Sequence, residues 1–377
     1  MRIGISCFAG HGGSGVVAAE LGKELARHGH EVHFITTQVP FRVTELSERL
    51  HFHPVSPLPY PVFPSPPMTL ALATRMAEVA ERHALDLIHC HYAIPHSAAA
   101  YLARVSCRCD LRVVTTLHGT DTRLVGIDPS YRHIVRFSIE ESHGVTAVSR
   151  SLRDSSVADL ELTVPVEVIY NFVDTDRFRP GLCPQLRASL AHEGEPICMH
   201  VSNLRPVKGV LDIVRAHALV SEATGARLVM VGNGPQRDEA AHLASELGIG
   251  GKVTFTDLLD DVAPYLSCAD LFVAASRQES FGMAALEAMS SGVPVVAMRV
   301  GGLPELVGNG CGLLTPPGEV EALAQAQIEL LGDEDRRRAY GAAARERAVT
   351  CFNPGAIVPQ YERHYERVMN GEPIHGA

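Results

Sequence analysis

Twice in this chain a short apolar run, a glycine-rich or polar turn, an amphipathic stretch and a second apolar run follow in the same order. Residues 3–7 read as a strand, 9–15 as a glycine-rich turn, 16–28 as a helix closed by Gly29, and 31–36 as the next strand. Halfway along, residues 197–201, 202–209, 210–222 and 227–231 repeat the design and lead into Gly232-Asn233-Gly234-Pro235. Each set is a βαβ start, and the alternation of strand-like and helix-period segments predicts parallel sheets covered by helices on both faces. Two starts predict two doubly wound α/β domains, and 377 residues suffice for a core in each. The boundary is expected in 171–190, the least periodic part of the middle, which holds Pro180, Gly181 and Pro184. A proline-rich stretch, 54–67, interrupts the first half and reads as a surface loop, with a functional lid as the alternative.

Composition removes several classes of function. With 46% hydrophobic and 20% charged residues the chain is neither disordered nor a membrane bundle, and no segment approaches the ~18 apolar residues of a membrane span. Lys and Arg number 33 against 43 Asp and Glu, a net charge of −10 without a basic block, which argues against nucleic acid and anionic lipid as partners. The first residues run straight into a strand without an apolar signal region, so a cytoplasmic protein is expected. Nine cysteines, odd in number and scattered, read as reduced thiols, and Cys107-Arg108-Cys109 has the wrong spacing for a zinc knuckle. Among nineteen histidines, His89 and His91 alternate onto one face of a strand, but no third ligand follows at zinc-like spacing, so no metal is expected.

Three turns carry chemistry. Gly10-His11-Gly12-Gly13-Ser14-Gly15 satisfies GxGxxG between a strand and a helix, the arrangement of a dinucleotide site. That reading also needs an acid at the end of the second strand to hold a ribose, and Thr36-Thr37-Gln38 supplies none. The glycines still offer bare N–H groups and a helix N-terminus to an anion, or serve only as a tight turn. In Ser202-Asn203-Leu204-Arg205-Pro206-Val207-Lys208-Gly209, Arg205 and Lys208 stand at a strand-to-helix turn, where a planar fork and a point charge suit a diphosphate. The plain alternative is two solvated cations. In Glu279-Ser280-Phe281-Gly282-Met283-Ala284-Ala285-Leu286-Glu287, residues 272–275 form a strand and 283–290 a helix, stopped by Gly292 and Pro294. Glu279 then lies in the turn and Glu287 about 12 Å further along the axis, too far apart for the two carboxyls of a retaining glycosidase. Such a pair suits a ligand of matching length, with phosphate facing the N–H groups of Phe281 and Gly282. A solvated surface acid is the competing reading, and it fits Glu287 better than Glu279.

A strand followed by E-S-F-G-x-x-x-x-E, with R-x-x-K-G upstream and GGSG near the N-terminus, resembles the retaining GT-B glycosyltransferases of family four, which carry an E-x7-E signature. The likeness spans nearly the whole chain in order. It implies two Rossmann-like domains facing a deep crevice, divided as 1–170 plus a crossover helix in 356–377, and 171–355. A nucleotide sugar would bind the second domain and an acceptor the first. Glu287 would hold the ribose hydroxyls; Glu279, Ser280 and the Phe281-Gly282 backbone the sugar; Gly13, Arg205 and Lys208 the diphosphate; and Asn203, Gly232 and Gly234 would lie near the nucleoside. The segments His91-Tyr92-Ala93-Ile94-Pro95-His96 and Thr115-Thr116-Leu117-His118-Gly119-Thr120-Asp121 are similar to the bacillithiol-pathway branch of the family. That implies UDP-N-acetylglucosamine as donor, L-malate as acceptor and a homodimer; relatives with an inositol phosphate acceptor are the rival. Ser14, Tyr92, Thr116 and Thr120 would then face acceptor carboxylates, and His118 the donor sugar. No cofactor or metal is implied, and His118, Arg205, Lys208 and Glu279 are the candidate catalytic residues. The pattern's usual glycine after the strand 253–256 is replaced by Asp257-Leu258-Leu259, which removes the familiar means of reading the base. An NAD-dependent oxidoreductase and a non-catalytic sugar-nucleotide binder are the alternatives from other classes.

Overall fold

In the computed structural model, β1 (Arg2–Ser6) runs between β2 (Glu31–Thr36) and β4 (Leu87–His91), all parallel. β3 (Leu50–Pro54) pairs outside β2. On the other side follow β5 (Arg112–Leu117), β6 (Gly144–Ala147) and β7 (Glu167–Val168). The order β3-β2-β1-β4-β5-β6-β7 reverses direction between β1 and β4. A second sheet contains β8 (Ile197–Val201), β9 (Arg227–Val231), β10 (Val253–Thr256), β11 (Leu271–Ala274), β12 (Val295–Met298) and β13 (Gly312–Thr315). Its order, β10-β9-β8-β11-β12-β13, reverses between β8 and β11. Open α/β sheets bind ligands at such reversals, beyond the carboxyl ends of the strands. The chain divides into two compact units, Met1–Asn171 with Gly355–Ala377, and Phe172–Pro354. The structure describes all residues except His11, 60–64, Cys183, Asn309 and 374–377, so His11 of the glycine-rich turn and the middle of the proline-rich stretch lie outside the described residues.

The strands are apolar because helices cover both faces, which leaves no solvated side to alternate toward. All five residues of β4 are buried, the two histidines included. In the second unit Cys198, Leu228, Met230, Val273 and Val296 pack with Val210, Ile213, Val214 and Leu323 from the covering helices. In the first, Ile35, Ile88 and Val113 meet Leu72, Met76 and Val79 of the helix Met68–His83. Each such side chain removed from water contributes about 1.5–3 kcal/mol.

The helix expected at 16–28 begins three residues earlier, as Gly13–Arg27, so Gly13 and Ser14 occupy its first turn rather than the loop. The terminal helix Pro354–Asn370 buries Ile357, Val358, Tyr361, His364, Tyr365 and Val368, a one-sided stripe that lies on the first unit's sheet. There His364 Nδ1 lies 2.6 Å from Glu167 Oε2, and the Tyr365 hydroxyl 2.8 Å from His89 Nδ1.

Candidate active site

The loops beyond β8 and β11 flank the reversal of the second sheet, and they are bound to each other. Lys208 Nζ donates to Glu279 Oε2 at 2.6 Å, and Ser276 Oγ approaches the same oxygen at 3.4 Å. The Arg277 N–H donates to the Val207 carbonyl at 2.8 Å. Beneath them, fully packed His200 spans Val273 O (2.9 Å) and Ser202 Oγ (2.8 Å), and burial lowers its pKa to about 4. Ser202 Oγ in turn accepts from the Leu204 N–H, which shapes the turn carrying Asn203 and Arg205. Asn203 and Arg205 are exposed, and among the described residues no carboxylate pairs with Arg205.

Close backbone approach fixes the rest of this surface. Gly232 has φ +120°, and a Cβ there would lie 2.0 Å from the Ser202 carbonyl; one on Gly234 would lie 2.0 Å from that of Asn203. Behind Glu279, Gly301 has φ +53° and would set a Cβ 1.7 Å from the Glu279 carbonyl, which accepts the Gly302 N–H at 3.0 Å. No other residue type fits at Gly301 without moving Glu279.

The helix Met283–Ser290 begins where the sequence places it, with Gly282 as the preceding residue at φ +106°. Phe281 is buried and meets Phe352 edge-on, with centroids 5.8 Å apart, which anchors the turn, while Ser280 is half-buried. Glu287 is only 6% exposed, which rules against the competing reading of a solvated surface acid. A carboxylate that buried is held by its surroundings rather than by water, which agrees with a ligand-facing or structural role.

In the first unit, the loops after β1, β4 and β5 gather at the reversal of that sheet. Asp121 joins two of them: Oδ2 accepts the Ala93 N–H at 3.0 Å, and Oδ1 accepts those of Gly119 at 2.9 Å and His118 at 3.2 Å. Burial raises the Asp121 pKa against the opposing pull of these N–H groups. Ser6 Oγ lies 2.9 Å from His96 Nδ1, and Phe8 packs edge-on against both Tyr92 and His96. His118 Nε2 stands 3.0 Å from His91 Nδ1, and its ring stacks on Tyr92 at 5.4 Å. Burial holds His96 and His118 near pKa 3, so these imidazoles are neutral. Tyr92 has φ +107°, a strained conformation for an aromatic residue and one that concentrates at ligand-holding positions.

Gly13 and Thr120 are exposed, Ser14 and Tyr92 half-buried. Thr116 differs from the expectation of direct ligand contact. It is wholly buried, and its hydroxyl lies 2.6 Å from both His89 Nε2 and Thr146 Oγ1, within a chain that continues to Tyr365. It supports the strand end from below. Sequence reasoning gave no role to Ser6, His91, His96, Asp121 or Gly301; the one local signal was Asp121 two residues after Gly119, a side chain suited to capping turn N–H groups.

Two family models match in tandem. "Glycosyltransferase Family 4" covers residues 11–177, and "Glycosyl transferases group 1" covers residues 184–347. The chain is 42% identical over 374 residues to N-acetyl-alpha-D-glucosaminyl L-malate synthase of Bacillus anthracis, covering 99% of this chain and 98% of that one.

The chain belongs to glycosyltransferase family 4.

This glycosyltransferase is also 27% identical to D-inositol 3-phosphate glycosyltransferase of Corynebacterium glutamicum, over 97% of its own length and 94% of the relative's. Among solved structures, sucrose-phosphate synthase from Thermosynechococcus elongatus shares the fold, with a TM-score of 0.83 at 24% identity, covering 99% of this chain and 100% of that one. Membership makes the protein an enzyme that transfers sugar and closes the oxidoreductase and non-catalytic readings. Among the described residues no helix is long and apolar enough to cross a membrane.

Proposed function

We propose that this glycosyltransferase moves N-acetylglucosamine from UDP to the hydroxyl of L-malate with retention at the anomeric carbon, the opening reaction of bacillithiol biosynthesis. The observation that carries the reading is the 42% identity to the malate synthase across both units, since the acceptor is chosen by first-unit loops.

In this reading the second unit holds the donor. Arg205 and Lys208 neutralise the diphosphate, with Asn203, Gly232 and Gly234 around the nucleoside. Glu287 accepts from the ribose hydroxyls. Glu279, Ser280 and the amides of Phe281 and Gly282 meet the sugar. The 2.6 Å bond to Glu279 supports a second task for that carboxylate, holding Lys208 in place before the donor arrives. In the first unit Ser14, Tyr92 and Thr120 bind the malate carboxylates, and Thr116 and Asp121 fix the loops that present them. His118 bonds the transferred sugar.

The bond from C1 to the β-phosphate oxygen breaks as the malate oxygen bonds C1 on the same face, and the hydroxyl proton passes to the departing phosphate. Catalysis is then positioning and charge stabilisation. Two cations at the diphosphate, Lys208 held by Glu279 and Arg205 on the exposed turn, support transfer without a metal; loss of turnover with chelator and its return with magnesium would contradict this. The small soluble substrates support a cytoplasmic enzyme, and the homodimer is testable by sedimentation.

The inositol phosphate relative supports a second reading, in which the acceptor is a phosphorylated polyol. The distinguishing experiment offers UDP-N-acetylglucosamine with each acceptor singly and identifies products by mass. N-acetylglucosaminyl malate with released UDP is expected; product from the inositol phosphate alone selects the second reading.

A further inference from the structure

Four histidines that the proposed reaction does not use meet at the edge of the first sheet. His33 lies on β2, His51 and His53 on β3, and His83 ends the helix Met68–His83. The parallel register sets His33 beside His51 and Ile35 beside His53, so alternate residues bring three imidazoles to one face. The rings of His53 and His83 lie 5.2 and 4.6 Å from that of His33, and 5.0 Å from each other. His33 Nδ1 faces His53 Nε2 at 2.9 Å, and Glu31 Oε1 stands 3.2 Å from His33 Nε2.

We propose that His33, His53 and His83 form a three-imidazole site for a divalent transition-metal ion of the zinc class. One ligand atom from each lies within 4.8 Å of the others. Zinc–nitrogen bonds of ~2.1 Å in a tetrahedron set nitrogens roughly 3.4 Å apart, so side-chain adjustment brings the three to bonding range. Imidazole nitrogen suits zinc, nickel, cobalt and copper, not magnesium or calcium. Glu31 takes the part of the outer carboxylate that orients a ligating histidine through its second nitrogen. His33 is fully buried whereas His53 and His83 are half-buried, which gives an ion a path from solvent. His33 and His53 lie within the paired edge strands β2 and β3 and His83 ends the helix that leads toward β4, so none of the three belongs to the loops after β1, β4 and β5 that would bear the acceptor. The site ties the edge strand and helix to β2 and takes no part in sugar transfer.

The test titrates the full, tag-free, metal-stripped chain with Co2+, followed by visible absorption, and then with Zn2+ against a chromophoric indicator. One Co2+ per chain with tetrahedral-type bands, displaced by Zn2+, is expected. His53→Gln and His83→Gln, both half-buried and chosen to spare the fold, should each weaken binding by about tenfold or more. His242→Gln, at an exposed helix position, should leave it unchanged, and apo melting temperatures and transfer activity report that each variant is folded. Absence of saturable binding in the wild-type chain, or affinity equal in all the variants, overturns the proposal and leaves sugar transfer untouched.

Discussion

Lys208 Nζ lies 2.6 Å from Glu279 Oε2, and this bond joins the loops beyond β8 and β11 across the reversal of the second sheet. With side chains 25% and 18% exposed, the pair is shielded enough to hold its geometry yet open to a ligand. In the proposed reading a donor diphosphate would meet there a cation already oriented, so little of the binding energy would go to ordering it.

Replacing Lys208 or Arg205 by Ala should lower kcat about 100-fold, because their charge partner grows as UDP departs. Steady-state kinetics with saturating donor reads this directly. Wild-type kcat with only KM raised would remove both from the leaving group.

Glu287→Ala should raise the donor KM by about tenfold with kcat little changed, the pattern of an interaction present equally in ground and transition states. An unchanged donor KM detaches Glu287 from the ribose.

Asp121→Asn should act through the loops it ties. One of its two accepting oxygens becomes an NH2 group facing backbone donors, at a cost of about 1–3 kcal/mol. The acceptor KM should rise while the donor KM holds. Equal effects on both, or none, would deny it the positioning role.

Stability should fall on mild acidification. His96 and His200 are buried and neutral, with folded pKa values near 3 and 4, below the ~6.5 of an unfolded histidine. Below pH 6.5 the unfolded chain takes up protons that the folded one refuses, so stability is full above that pH and is lost as pH falls toward the folded values. From pH 7.5 to 5 each group removes about 2 kcal/mol, one in each unit. Urea midpoints at the two values measure it, and carboxylates contribute little in that window. A flat profile would contradict the burial of these rings.

The elements that place the donor loops were legible because their signals are local. An uninterrupted apolar run marks a buried parallel strand, and Gly282, Gly292 and Pro294 bracket the helix Met283–Ser290. The start at Gly13 was not, because glycine is a poor helix former and gives no local signal that a helix begins there. Burial was the harder property. The sequence left a solvated acid open for Glu287 and put Thr116 in contact with an acceptor, yet strand pairing and the C-terminal helix close over Thr116, while the second unit's packing encloses Glu287. The histidine cluster was invisible for the same reason, since His33, His53 and His83 are joined only by the β2–β3 register and the return of a helix.

The most direct test of the account is the ratio of kcat/KM for L-malate to that for inositol 3-phosphate, both with UDP-N-acetylglucosamine. A ratio of about 100 or more in favour of malate, with the product retaining the donor's anomeric configuration, is expected. A ratio near one, a preference for the phosphate, or an inverted product would contradict it.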